Sequence, residues 1–208
     1  SRICHAPSTV ALKQSLGVAA STCSYKDWIG TDLLILFGSN TPNNQPVTTK
    51  YLRYAQKAGT RIVVVNPVSE RGRERYSAAP LATSAAFGSN LMDDSFQVRF
   101  GGDIAFINGV LKFLILAERT NRSFIDRHTT GFSELAAALE AQSWDMLEQR
   151  SGVAREGMQR FAETYSQART AVFVYSVELT QHEFAVDNVK AVVNLALARG
   201  MLGRDKCG

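Results

Sequence analysis

The chain has 208 residues, 45% of them hydrophobic and 20% charged, with a formal net charge of +4. This is an ordinary globular composition with enough apolar residues for a real core, and it excludes a disordered or low-complexity protein. The mild basicity suits an anionic small ligand, and with no recognition-helix, zinc-finger or aromatic–basic pattern, nucleic-acid binding is not expected.

Cys4, Cys23 and Cys207 are odd in number and unrelated in spacing. They make neither a disulfide framework nor a zinc site, and they fit a reducing, cytoplasmic location. No apolar run approaches the ~20 residues of a membrane span. The run from Ile104 to Leu116 is short and is interrupted by Asn108 and Lys112. No signal-peptide pattern is visible. The chain starts without Met, inside what reads as a functional motif, and is expected to be an excised piece of a longer polypeptide.

That first motif is Cys4-His5-Ala6-Pro7-Ser8. A helix is predicted from Ser8 to Leu16, with Ser8 as N-cap and Gly17 as terminator. A cysteine just ahead of a helix N-terminus and beside a histidine is placed to favour the thiolate, which attacks electrophiles or binds a soft metal. Ala19 to Tyr25 reads as a loop or a second short helix. Asp32 to Phe37 is a continuous apolar run closed by Gly38-Ser39-Asn40, the pattern of a strand buried on both faces.

Turn residues come next, with Pro46 suited to a first helical position. Val47, Tyr51, Leu52, Ala55 and Ala58 then recur at helical spacing, and Gly59 closes the element. Thr60 to Val65 is a second buried strand ending at Asn66-Pro67. Strand, helix, strand at this tempo is a βαβ unit. Ser69 to Met92 is a long connection without sustained period.

Ser95 to Phe100 alternates as a short strand, and Gly101-Gly102-Asp103 opens a helix to about Arg119, apolar nearly all round and so central. Two or three short helices are predicted between Phe124 and Gln149, and an amphipathic helix spans Ala154 to Tyr165. Thr170 to Ser176 is a third long strand, and Val186 to Leu197 a final helix closed by Gly200. The tryptophans and phenylalanines read as core. The fold class expected is α/β, a Rossmann-like three-layer αβα domain with a mainly parallel sheet, forming one domain over residues 1–208.

Open parallel sheets bind ligands at the carboxyl ends of their strands. Four such ends carry polar or glycine-rich residues: Gly38-Ser39-Asn40, Asn66-Pro67, Gly101-Gly102-Asp103, and Ser176 to His182. Glycines let backbone N–H groups approach phosphate, and a following helix N-terminus favours negative charge. Together these ends point to a nucleotide-type ligand. The absence of G-x-G-x-x-G disfavours a simple nicotinamide enzyme. There is no His/Glu metal pairing, P-loop or G-x-S-x-G elbow.

Cys4-His5-Ala6-Pro7-Ser8 followed by Asp32 to Asn40 resembles the molybdopterin-guanine-dinucleotide oxidoreductases, and within them the catalytic alpha subunit of formate dehydrogenase. Later landmarks fall in the same order: Val65-Asn66-Pro67, Gly101 to Ala105, Thr130-Gly131-Phe132, Ser151-Gly152-Val153, Leu179 to His182, and Gly200 to Arg204. The resemblance covers essentially the whole chain.

It implies that Cys4 ligates molybdenum beside bis-molybdopterin guanine dinucleotide and that His5 stands next to the substrate. By the same resemblance Gly38, Ser39 and Asn40 lie along the cofactor. Asn66, Gly101, Gly102 and Asp103 meet its guanosine or phosphates, and Thr180, Gln181 and His182 lie near dinucleotide and metal. The implied activity is two-electron oxidation of a small substrate, formate leading. Other domains of the same polypeptide and an electron carrier would be its partners. An iron–sulfur cluster would belong only to parts of the parent outside this chain.

The chain departs from the family where an acidic residue usually follows the second strand (here Asn66), and where Ser176-Val177-Glu178 replaces a glycine-rich triplet. Two other classes stay open at this point. One is a non-redox nucleotide-binding or regulatory module; the other is a cysteine-nucleophile enzyme using Cys4 and His5.

Overall fold

A computed structural model of the chain describes residues 4–39, 41, 45–68 and 92–208. Asn40 and most of the predicted long connection, residues 69–91, lie outside the described residues. Four strands form one sheet: β1 (Leu33–Phe37), β2 (Arg61–Asn66), β3 (Asp94–Gln97) and β4 (Ala171–Tyr175). All pairings are parallel, in the order β3-β2-β1-β4. Leu33 pairs with Arg61 on one side and Ala171 on the other, so all strands end at one edge.

Period-2 geometry sends alternate strand residues to opposite faces. Leu33, Ile35 and Phe37 join Val63 and Val65 in the larger core. Leu34, Leu36, Ile62 and Val64 join Trp28, Leu52 and Ala55 in the smaller one. The sheet is therefore buried on both sides, as its continuous apolar runs require. The three-layer expectation stands.

The smaller face is covered by α2 (Thr49–Lys57), entered through a 3-10 turn at Pro46–Thr48. The larger is built on α3 (Asp103–Leu116), which packs against α6 (Trp144–Ser151), α7 (Arg155–Gln167) and α9 (Ala185–Arg199). Phe106 and Phe161 meet at 5.2 Å between ring centroids, and Phe96 closes the cluster at 5.3 Å from Phe161. Burying each such side chain contributes about 1.5–3 kcal/mol. The residues that interrupt α3's apolar run find partners. Buried Lys112 donates to the carbonyls of Glu140 and Gln142, and Asn108 bonds the Gln142 side chain. α4 (Arg122–His128) and α5 (Phe132–Glu140) fill the predicted short-helix region with α6.

Several expectations need correction. The first helix, α1, spans Ala6–Leu16, and its N-cap is His5, not Ser8. Pro7 lacks an amide hydrogen and suits the first turn, so the helix starts earlier, while the His5 carbonyl accepts from the Thr9 amide and hydroxyl. For residues 19–25, read as a loop or a second short helix, the loop is what forms. β3 stops at Gln97 because the Arg99 amide turns away to the Ser151 carbonyl at 2.7 Å. Two phenylalanines read as core are exposed: Phe100 at 80% and Phe184 at 50%. Among the described residues no helix is long and apolar enough to cross a membrane.

Candidate functional site

The chain runs from β1 through β2 to β3 on one side, then returns to place β4 on the other flank of β1. The crevice beyond β1 and β4 is thus a topological switch point, where open parallel sheets take ligands. Gly38 leaves β1 there with φ +53, its amide donating to the Val65 carbonyl at 3.0 Å. A Cβ on Gly38 would stand 2.6 Å from Leu179 Cδ1 and 2.8 Å from Glu178 Cβ. Only glycine lets the short helix α8 (Val177–Thr180) lie against the end of β1. Buried Asn188 of α9 holds α8 from behind, donating to the Leu179 carbonyl at 3.0 Å.

His182 follows α8. The Phe184 amide donates to its Nδ1 at 3.3 Å, and Nε2 faces Gly101, lying 2.7 Å from where a Cβ would stand. Gly102 is packed onto the Arg150 and Ser151 carbonyls, again with no room for a side chain. Asp103, the first residue of α3, is buried. Burial pushes its carboxyl up from 3.8 to about 6, the His182 ring pulls it down, and Glu178 adds to the rise. At the end of β2, Asn66 is buried and its Nδ2 donates to the Val68 carbonyl at 3.0 Å.

Two buried acceptors on this rim, Asn66 Oδ1 and Asp103 Oδ1, have no hydrogen-bond partner among the described residues. Unpaired buried oxygens are costly and mark places where something else donates. Buried Ser39 bonds the Thr41 hydroxyl at 2.9 Å just beyond Gly38. Thr180 is buried in α8, while Gln181 and His182 are exposed.

The structure thus brings Gly38, Gly101, Gly102, Asp103 and His182 together, with Asn66 on the same sheet edge. Cys4 and His5 stand apart. Both are exposed, in a turn ahead of α1, and among the described residues no hydrogen bond joins their side chains to the rim. One helical turn on, Ser8 lies within reach of Tyr175 at the carboxyl end of β4. Among the described residues no three His, Cys, Asp or Glu side chains cluster as a metal site.

Glu178 and Asn188 are site residues that sequence reasoning passes over. Glu178 follows a strand end, a usable signal; Asn188 is an amide in an otherwise apolar helix face, a weaker one. Cys23 and Cys207 lie away from the rim, and burial pushes the Cys23 thiol up to about 11.

A doubly covered parallel sheet with a glycine-lined crevice and unpaired acceptors at its switch point defines a ligand-binding α/β domain. The chain belongs to the molybdopterin oxidoreductase family, which it matches over residues 1–208. It is 33% identical over 220 residues to protein YdeP of Escherichia coli strain K12, covering all of this chain and 29% of that protein. It is 31% identical over 207 residues to the alpha subunit of F420-dependent formate dehydrogenase 1 of Methanococcus maripaludis, covering all of this chain and 28% of that subunit. Among solved structures, acetylene hydratase from Pelobacter acetylenicus shares the fold with a TM-score of 0.74 at 17% identity, over 92% of this chain and 24% of that one. The chain spans less than a third of the length of the curated relatives it matches.

The family's cofactor is molybdopterin. The glycines without room for a Cβ let α8, the His182 ring and the Arg150 and Ser151 carbonyls pack closely at the rim, while the Gly38 and Gly102 amides donate to the Val65 and Arg99 carbonyls. The unpaired Asn66 and Asp103 oxygens are acceptors suited to base N–H groups.

Proposed function

We propose that this chain is the part of a molybdenum oxidoreductase's catalytic subunit that grips the guanosine end of a bis-molybdopterin guanine dinucleotide cofactor. The observation that carries the reading is the pair of buried, unpaired oxygens, Asn66 Oδ1 and Asp103 Oδ1, beside glycines that admit no side chain. Asp103 and Asn66 accept from guanine N–H groups. Gly101 and Gly102 lead into the N-terminus of α3, where the helix dipole favours the negative charge of the phosphates. Gly38, Ser39, Thr180 and Gln181 line the path of the dinucleotide, with His182 beside it; Asn40, expected there from the resemblance, lies outside the described residues.

When bound, the cofactor supplies a metal centre for two-electron oxidation. The Cys4 sulfur, a soft donor, would hold that metal. His5 would stand beside the substrate as proton acceptor or electrostatic partner. Formate is the leading substrate, in line with the formate dehydrogenase relatives. Other domains of the same polypeptide close the site, any iron–sulfur cluster sits in them, and a carrier takes the electrons. The free thiols suit a cytoplasmic enzyme. In this reading Cys4 is the protein's own ligand, and the pterin would supply the others.

The test is metal and pterin analysis of the parent polypeptide with formate-oxidation assays of Cys4→Ser. The reading expects molybdenum and released GMP in both proteins, and activity only in the parent. Absent molybdenum, or full activity in Cys4→Ser, overturns it. A guanine nucleotide bound without metal or pterin would favour a non-redox nucleotide module.

A further inference from the structure

The second half of α3 carries a buried cation that no carboxylate pairs with. Lys112 is 8% exposed. A lysine ammonium has three N–H donors. Two of them go to the backbone carbonyls of Glu140 and Gln142, where α5 ends, and the Trp144 ring lies 5.1 Å from the nitrogen. Carbonyl dipoles and an aromatic face soften a positive charge but do not neutralise it. Among the described residues no Asp or Glu stands within ion-pair distance of Lys112, and the Glu140 side chain beside it is exposed. A buried charge is costly until an opposite charge meets it.

Lys112 also lines a groove of about 420 Å³ between α3 and α5. Sites for small molecules span roughly 300–1,000 Å³. Ala136 and Ala137 of α5 keep the trough open, and Leu116, Phe132 and Leu139 make its walls apolar. Leu116 is 62% exposed, although most of α3 is buried. The far end holds a second cation, Arg122, but its guanidinium pairs with Asp126 at 3.4 Å and lies over the Phe132 ring. The groove is therefore apolar along its length, with its unpaired charge at the Lys112 end. From Phe132 to Glu140, α5 rises about 12 Å, which is room for an extended aliphatic chain.

We infer that the groove between α3 and α5 binds an aliphatic carboxylate, its head accepting from Lys112 and its chain lying on Ala137, Leu116 and Phe132. The charge selects a carboxylate over a neutral head group, and the apolar walls select the chain. Lys112 lies nine residues beyond Asp103 on α3, about 14 Å along the helix axis. The site is thus separate from the rim and independent of the cofactor reading.

Titration calorimetry of the purified protein with decanoate, below its micelle-forming concentration, tests it. The expected result is a single site that tightens about fourfold for each methylene added from hexanoate upward. Decanol binds at least about tenfold more weakly than decanoate. Ala137→Phe, at an exposed position, fills the groove and abolishes binding. Lys112→Met keeps the length of the side chain and makes decanol and decanoate bind alike. Absence of decanoate binding overturns the inference, as does equal affinity for decanol in the unmutated protein. Binding that survives Ala137→Phe also overturns it, by placing the ligand elsewhere on the surface. The comparison of the two ligands needs no variant, so it decides the matter whether or not Lys112→Met folds.

Discussion

Gly38, Asp103 and His182 stand on a rim clamped from several sides, whereas Cys4 and His5 stand in a solvent-exposed turn held only through α1. The rim is dense: α8 lies on Gly38, the His182 ring on Gly101, and two carbonyls under Gly102. Among the described residues the Cys4 turn has one backbone link, His5 to Thr9, and Ser8 lies near Tyr175 a turn later. The contrast is one of labour. A nucleotide-gripping surface gains from being preformed, because each group ordered in advance lowers the cost of binding. A residue that donates one bond to a metal can be placed by the metal itself.

The sharpest break of this contrast is Cys4→Ser. If the proposed function holds, formate oxidation by the parent protein falls by about 10³-fold or more, while stability moves by less than about 0.5 kcal/mol because the side chain is exposed. A large loss of melting temperature would show that the turn is structural after all.

On the rim the balance reverses. Gly38→Ala must relocate α8 and adopt a left-handed φ, costing about 2–4 kcal/mol, read as a lower denaturant midpoint before any assay.

Asp103 gives the comparison a pH dimension. Its carboxyl holds a proton more tightly folded than unfolded, at about 6 against 3.8, mainly through burial. The native state then binds more protons across this window, so cofactor-free protein loses stability as pH rises from about 4 to 6, by about 2–3 kcal/mol at most. Asp103→Asn flattens this decline and is the more stable protein above pH 6, yet it binds the guanine dinucleotide more weakly. Melting curves from pH 4 to 7 with and without cofactor check both halves. A steep decline surviving in the variant would assign the titration elsewhere.

Asn188→Ala frees the Leu179 carbonyl and loosens α8 from behind, for about 1–2 kcal/mol. The smallest effect is at Asn66. Asn66→Ala removes one bond to Val68 and one unpaired oxygen together, so stability changes by less than about 1 kcal/mol, and the loss shows in cofactor retention.

Much of the scaffold is legible in residue order. Asp32 to Phe37, Thr60 to Val65 and Thr170 to Ser176 read as buried strands because a strand covered on both faces must be apolar throughout. Gly17 and Gly200 end their helices in the left-handed conformation, as their position suggests. The four strand ends are recognisable by polarity and glycine. The cap of the first helix is not legible in the same way: Ser8 is the better capping residue in isolation, while Pro7 allows the helix to begin nearer Cys4.

The sequence by itself determined the α/β class, the strand identities and the family resemblance, since these depend on local periodicity and on motifs in order. Only the tertiary structure decided that Gly101 makes room for His182, 81 positions later, and Gly38 for α8. It also decided that Asp103 is a buried carboxyl under the influence of Glu178 and His182, and that Gly208 lies on β4. Those are contacts between distant segments, and no local pattern encodes them. They appear only when the parallel sheet, by closing all its strands at one edge, carries those segments to the same place.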